Sequence, residues 1–340
     1  MSNDAYTPAA YRNDRMPYRR AGSSGLLLPT ISLGMWQNFG EHRDPDVMRE
    51  IIRRAFDLGV THFDLANNYG PPPGRAEENF GDILRSDFAS LRDEIIISTK
   101  AGFDMWDGPY GRGGSRKHML ASLDQSLTRL GVDYVDVFYH HCEDPETPLE
   151  ESMGALATAV TSGKALYVGI SNYSPENTRR AHRILASLGV PLTLHQPSYS
   201  MFNRHIESEL LSTVSTLGMG IAAFSPLQQG LLTNRYMSGV PQSSRAAGPS
   251  GSLTVKQVED ADYQSRVRGL TEIAQHRGQS LAQLALAWAL RHRQVTTALV
   301  GASTVHQLEQ NIETLEHLEL SDEELRRIDE FAVHGTAAAG

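Results

Sequence analysis

Eight short runs of β-branched and aromatic residues recur along the chain, and amphipathic segments separate them. The runs are Ile31–Leu33, Thr61–Leu65, Ile95–Thr99, Tyr134–Tyr139, Tyr167–Ile170, Leu192–Leu194, Ile221–Phe224 and Thr297–Val300. Between them lie segments such as Val47–Leu58, Arg116–Leu130, Leu149–Val160, Pro175–Leu188, Ile206–Leu217 and Leu281–Arg291. In Arg116–Leu130, Met119, Leu120, Leu123, Leu127 and Leu130 follow helical spacing. Strands that alternate with helices pair in parallel through right-handed crossovers. Eight such units favour a closed (β/α)8 TIM barrel of the α/β class over an open sheet. A doubly wound sheet is the alternative, but no strand–GxGxxG–helix opening is present, and Gly108-Pro109 and Gly111-Arg112-Gly113-Gly114 do not follow that spacing.

Ahead of the first run, Tyr18-Arg19-Arg20 and Leu26-Leu27-Leu28 flank the turn Ala21-Gly22-Ser23-Ser24-Gly25, which predicts a hairpin. Residues 1–17 read as a flexible arm, 18–333 as a single barrel domain and 334–340 as a tail. One interval is too long for a plain crossover. Between Phe224 and Thr297 lie two helical patterns, Tyr263–His276 and Leu281–Arg291, preceded by residues 225–260, rich in Gly, Ser and Pro. A loop of that length in a compact domain is usually functional. Extra helices close the C-terminus, where Ser321 and Glu324 predict a capping box for Ser321–Phe331.

The chain carries 31 basic and 40 acidic residues, a net charge of −9, so a general nucleic-acid binder is disfavoured and any anionic ligand needs a local basic pocket. A single cysteine, Cys142, leaves no intramolecular disulfide and suits a reducing compartment. There is neither an apolar run long enough to span a bilayer nor an apolar signal region within Met1–Arg20. A soluble, cytoplasmic protein without membrane insertion is expected.

Polar residues at the C-terminal ends of barrel strands gather at one mouth. Thr61-His62-Phe63-Asp64 ends on a carboxylate, Ile95–Lys100 on an ammonium, and Tyr134–Tyr139 runs into His140-His141, while Tyr69 follows Asp64 in a short loop. Each is unremarkable alone. Together they place ionisable groups from three successive strands, and a phenol, on one rim. Carbonyl reduction requires a general acid at oxygen, and a phenol with an ordinary pKa of about 10 is a reluctant donor near neutrality. An ammonium about 4 Å away contributes on the order of 4 kcal/mol at an effective dielectric of 20, enough to lower that pKa by 2–3 units. The expectation is therefore Tyr69 as acid, Lys100 depressing its pKa, Asp64 holding Lys100, and neutral His141 orienting the carbonyl. A metal reading of His140-His141-Cys142-Glu143-Asp144 fails because strand neighbours point to opposite faces; no metal is expected.

These residues resemble the aldo-keto reductase superfamily over roughly residues 18–333. Gly59–Gly70 resembles the family's Asp-x4-Tyr segment, Lys164–Tyr173 its central signature, and Ser225-Pro226-Leu227, Gly230-Leu231-Leu232-Thr233 and Gly301-Ala302-Ser303 its nucleotide segments. Ser98–Trp106, Gly113–Lys117 and His195–Tyr199 are most similar to the branch of potassium-channel β-subunit-like reductases. The resemblance implies a hairpin closing the barrel bottom, NADPH as cofactor and a tetrad on Asp64, Tyr69, Lys100 and His141.

Position by position, the resemblance implies that Ser171, Asn172 and Gln196 hold the nicotinamide carboxamide and that Phe224 stacks on the ring. Ser225, Pro226, Leu227, Gly230, Arg235 and Arg245 meet the pyrophosphate; Ser303, Gln307, Gln310 and Asn311 meet the adenosine. Gly34, Met35 and Trp36 form the cofactor and substrate rim. Two positions depart from the family pattern: Thr304 replaces a common Arg or Lys against the 2′-phosphate, and Gln310 a common Glu. The implied activity is reduction of small aldehydes, L-glyceraldehyde 3-phosphate and methylglyoxal-like carbonyls among them, by a homo-oligomer, tetrameric or larger. Arg116, entering a helix capped by Ser115, is the candidate phosphate seat. The alternative function is a slow, cofactor-sensing regulatory subunit.

Overall fold

The computed structural model describes residues 6–237, 239–241, 246 and 253–337. Two antiparallel strands, β1 (Tyr18–Arg20) and β2 (Leu27–Pro29), form the predicted hairpin. Eight parallel strands follow: β3 (Ile31–Gly34), β4 (His62–Asp64), β5 (Ile96–Ala101), β6 (Val135–His140), β7 (Ala165–Ser171), β8 (Leu192–Gln196), β9 (Gly220–Ala223) and β10 (Val295–Val300). They pair in sequence order, and β10 closes on β3 with Val300 opposite Leu33. All eight predicted runs become these strands, so the barrel expectation holds.

The outer layer contains α1 (Pro45–Asp57), α2 (Arg75–Asp87), α3 (Arg116–Leu130), α4 (Leu149–Thr161), α5 (Pro175–Ser187) and α6 (Leu210–Thr216). After β9 come α7 (Val255–Val258), α8 (Ala261–His276) and α9 (Leu281–Ala289), and after β10 come α10 (Val305–Ile312) and α11 (Asp322–Asp329). Capping matches the sequence signals: Ser115 accepts from His118 N, and Ser321 and Glu324 form the reciprocal box. No helix among the described residues is long and apolar enough to cross a membrane.

Period-two alternation sorts the strand residues between two cores. Outward-facing side chains such as Phe63, Ile97 and Phe138 join the large layer under the helices. Inside, Val137, Tyr139 and Leu194 pack with Ala21, Leu26 and Leu28 of the hairpin, which plugs the barrel bottom. Arg19 secures the plug by donating to the carbonyls of Leu290 and Val295, each at 2.9 Å. Tyr139 fits inside because its neighbour on β7 is Gly169: a Cβ there would stand 2.3 Å from the ring.

The segment before Tyr18, expected as a flexible arm, is tied to α1 over its described part. Tyr6 and Ala9 both donate to Asp57, each at 2.8 Å, Arg12 pairs with Glu94, and Met16 is buried.

Candidate active site

The mouth at the strand C-termini is built from the residues the alternation sends inward. On β5, Ser98 and Lys100 point into the barrel, while Thr99 points outward and donates to Glu77 of α2. Gly34 of β3 pairs with Asp64 of β4, and Asp64 with Ser98. Asp64 and Ser98 are thereby set side by side inside the barrel.

Lys100 is fully buried, and its ammonium spends all three donors: 2.7 Å to Asp64 Oδ2, 2.6 Å to the Leu65 carbonyl and 3.2 Å to the Tyr69 hydroxyl. Asp64 Oδ1 accepts from Ser98 Oγ at 2.7 Å and from Gln196 Nε2 at 2.9 Å. Burial opposes the Lys100 charge, but Asp64 and Tyr69 outweigh it and its pKa stands above the ordinary lysine value.

Tyr69 corrects one expectation. Its phenol pKa lies above the ordinary value, not below it. Burial is the largest influence and disfavours phenolate; Lys100 pulls the value down, and the Asp64 carboxylate pushes it back up. Desolvation and the second charge, which residue spacing does not convey, outweigh the ammonium. The consequence is a phenol that stays protonated at neutral pH, a loaded donor.

His140 and His141 part as the strand geometry requires. His140 faces outward, its Nδ1 within hydrogen-bond distance of the Tyr173 hydroxyl. His141 turns to the mouth, its ring 5.9 Å from that of Tyr69 and 4.6 Å from that of Phe103, both edge-on. Burial, with Lys100 and His140 nearby, holds the His141 imidazole well below its ordinary pKa, so it is neutral. Its Nδ1 has no partner among the described residues.

A cleft of about 470 Å³ opens beside Tyr69. Trp36, Asp64, Phe224, Ser225, Pro226, Leu227, Gly230, Arg235, Ser303 and Gln307 line it together. Ser171, Asn172 and Gln196 stand at the ends of β7 and β8, where Asn172 Nδ2 donates to Ser171 Oγ (3.1 Å) and Ser171 Oγ to the Gln196 carbonyl (2.8 Å). Asn172 and Ser225 hold positive φ, 58° and 53°, uncommon for residues other than glycine. Gln310 and Asn311 lie on α10, where the buried Asn311 Nδ2 lacks a partner among the described residues. Arg245 lies outside the described residues.

Three placements differ from, or add to, the expected set. Arg116 is not brought to the cleft; its guanidinium donates to the Gly154 carbonyl of α4 and its backbone N–H to Glu151. Arg43, held by Asn38 at 2.9 Å, does line the cleft, together with Gln37 and Asn38. These loop residues follow β3 without any periodic signal. Thr304 spends its hydroxyl capping α10, accepting from Gln307 N at 3.1 Å.

Comparison with known proteins identifies the family. Residues 30–333 match the model of the Aldo/keto reductase family. The chain is 56% identical, over 95% of its length and 94% of theirs, to L-glyceraldehyde 3-phosphate reductases of Escherichia coli O157:H7 and K12. It is 37% identical over 90% of its length, and 93% of the relative's, to a probable voltage-gated potassium channel subunit beta of Oryza sativa. A family match spanning most of the barrel, with relatives at 56% and 37% identity along nearly the whole chain, settles the family: the chain belongs to the aldo/keto reductase family and is an NAD(P)H-dependent oxidoreductase.

Proposed function

We propose that the chain reduces small aldehydes to primary alcohols with NADPH, with Tyr69 as proton donor. The observation that carries the reading is the 3.2 Å contact between Lys100 Nζ and the Tyr69 hydroxyl inside a buried, fully bonded ion pair. L-Glyceraldehyde 3-phosphate, named in the relatives at 56% identity, is the first substrate to test, and methylglyoxal the unphosphorylated comparison.

The cleft residues fit the cofactor. Ser171, Asn172 and Gln196 would hold the carboxamide, Phe224 the nicotinamide face, Ser225–Leu227, Gly230, Arg235 and Arg245 the pyrophosphate, and Ser303, Gln307, Gln310 and Asn311 the adenosine. The partnerless Asn311 amide supports that assignment. Bound there, the cofactor supplies a hydride to the carbonyl carbon.

The chain's own groups do the rest. Neutral His141 and the Trp36 edge orient the carbonyl beside Tyr69. Oxygen that gains negative charge as carbon is reduced becomes far more basic than phenolate, so Tyr69 yields its proton despite its raised pKa. Lys100 steadies the phenolate that remains, and Asp64 keeps Lys100 charged and aimed. Arg43 is the cleft cation closest in role to a phosphate seat, and its replacement should raise KM for the phosphorylated aldehyde more than replacement of Arg116 does.

NADPH oxidation measured across phosphorylated and unphosphorylated aldehydes, and repeated with NADH, tests the reading. Turnover with NADPH supports it. Negligible turnover on every aldehyde, with a membrane protein co-purifying, would favour the cofactor-sensing subunit instead, and NADH used as well as NADPH would remove the proposed cofactor preference, the outcome that Thr304 in place of a cation would explain. A tetrameric or larger assembly belongs to the same proposal and is read by light scattering.

A further inference from the structure

Below the tetrad, a layer of buried polar side chains crosses the barrel between the catalytic groups and the apolar plug. Thr297 Oγ1 on β10 lies 2.7 Å from Ser32 Oγ on β3, Ser32 Oγ 2.9 Å from His62 Nδ1 on β4, and His62 Nε2 2.9 Å from Ser98 Oγ on β5. Ser98 Oγ then reaches Asp64. All five residues are at most 2% exposed.

The direction of every bond follows from the last one. An ionised carboxylate only accepts, so the Ser98 proton lies on its bond to Asp64. Ser98 oxygen then accepts from His62, which puts the imidazole proton on Nε2. Bare Nδ1 accepts from Ser32, and Ser32 oxygen accepts from Thr297. Four dipoles in series point their positive ends at Asp64. The bond to Ser32 is the only one Thr297 Oγ1 makes among the described residues, so the chain of bonds stops there; it orients and does not supply protons.

We infer that His62 is a positioning residue of the reduction, a neutral imidazole fixed with its proton on Nε2 so that Ser98 stays turned toward Asp64 and the Asp64–Lys100 pair tunes the proton donor Tyr69. This rests on the reductase reading above. Burial holds His62 at about 4, so it carries no charge at working pH. The charged groups facing it are Asp64 on its own strand and Lys100 on β5; those facing Tyr69 are Lys100, Asp64 and, nearby but neutral, His141. Donors aimed at Asp64 offset part of the negative potential that Asp64 puts on Tyr69. Without them the phenol is harder to ionise.

Two measurements decide it. Nitrogen-15 NMR of histidine-labelled protein, with His62 assigned by loss of its signal in His62→Gln, should show protonated Nε2, bare Nδ1 and no titration between about pH 6 and 9; an Nδ1-protonated tautomer would overturn the inference. In kinetics, His62→Leu and Ser98→Ala should lower kcat about tenfold and move the basic limb of the pH profile up by about 0.5 unit, with NADPH affinity kept. His62→Gln, whose amide N–H can stand in for Nε2–H, should restore most of both. Unchanged kcat and limb in Ser98→Ala, or a His62→Gln as impaired as a well-folded His62→Leu, would contradict it. Should the chain reduce no aldehyde, the tautomer still stands or falls on the NMR alone, which separates this inference from the proposed function.

Discussion

Lys100 and Asp64 form an ion pair with side-chain exposures of 0% and 3%, and the ammonium has no donor left for water. Breaking such a pair from one side strands the other charge in the interior. Lys100→Met should cost about 3–5 kcal/mol of stability by urea denaturation, because Asp64 is left uncompensated. Asp64→Asn combined with Lys100→Met should recover most of that stability and none of the turnover. A double variant no more stable than Lys100→Met would show that the pair's role in stability has been misjudged.

Five buried histidines among the described residues, His118 included, make the fold acid-sensitive. Burial first, against the raising influence of Asp64, Asp144 and the Tyr173 carbonyl respectively, holds His62, His140 and His195 at about 4, and His141 lies well below its ordinary value. Below the unfolded value near 6.5 the unfolded chain binds protons that the native one refuses, so stability is complete above that pH and drains as pH falls toward 4. Each such histidine should cost on the order of 1 kcal/mol at about pH 5.5. Denaturation midpoints compared at about pH 7.5 and pH 5.5 test this; equal midpoints would mean that these imidazoles charge freely in the fold.

On the outer face of β5, Glu77 is completely buried and its carboxylate is met by Arg129 at 2.7 Å and by Thr99. Arg129→Met should destabilise by about 3–5 kcal/mol while leaving the KM of any folded enzyme near wild type, since the pair touches the outer face of β5 and not the mouth. A large KM change without loss of stability would place Arg129 in the binding machinery.

Arg235 lines the cleft in the segment that would cover the pyrophosphate. A charge-assisted bond to phosphate contributes about 1.5–3 kcal/mol, so Arg235→Ala should weaken NADPH binding by roughly 10- to 100-fold. Fluorescence titration reads it, and the deficit should shrink as salt rises. An unchanged Kd would move the phosphate contact elsewhere.

The barrel is legible because each strand announces itself locally: Ile95–Thr99 or Tyr134–Tyr139 is apolar and β-branched enough to be read without its neighbours. The tetrad is legible because strand ends converge in this fold, so Asp64, Lys100 and His141 meet once eight strands are counted. Other features exist only after closure. Ser32, His62, Ser98 and Thr297 are unremarkable in sequence and become one layer only when β10 pairs with β3. Helix α2 is obscured because Glu77, a charged residue, sits on its buried face. Arg43 joins the cleft through loop geometry, and the raised pKa of Tyr69 needs a degree of burial that no residue spacing conveys.

Tyr69→Phe removes one oxygen and nothing else from this site. Pre-steady-state NADPH oxidation with saturating aldehyde should slow by about 10²- to 10⁴-fold, while NADPH binding stays within roughly twofold of wild type. A Tyr69→Phe enzyme that reduces aldehydes at the wild-type rate would contradict the assignment of the phenol as the proton donor, and with it the role given to Lys100 and Asp64.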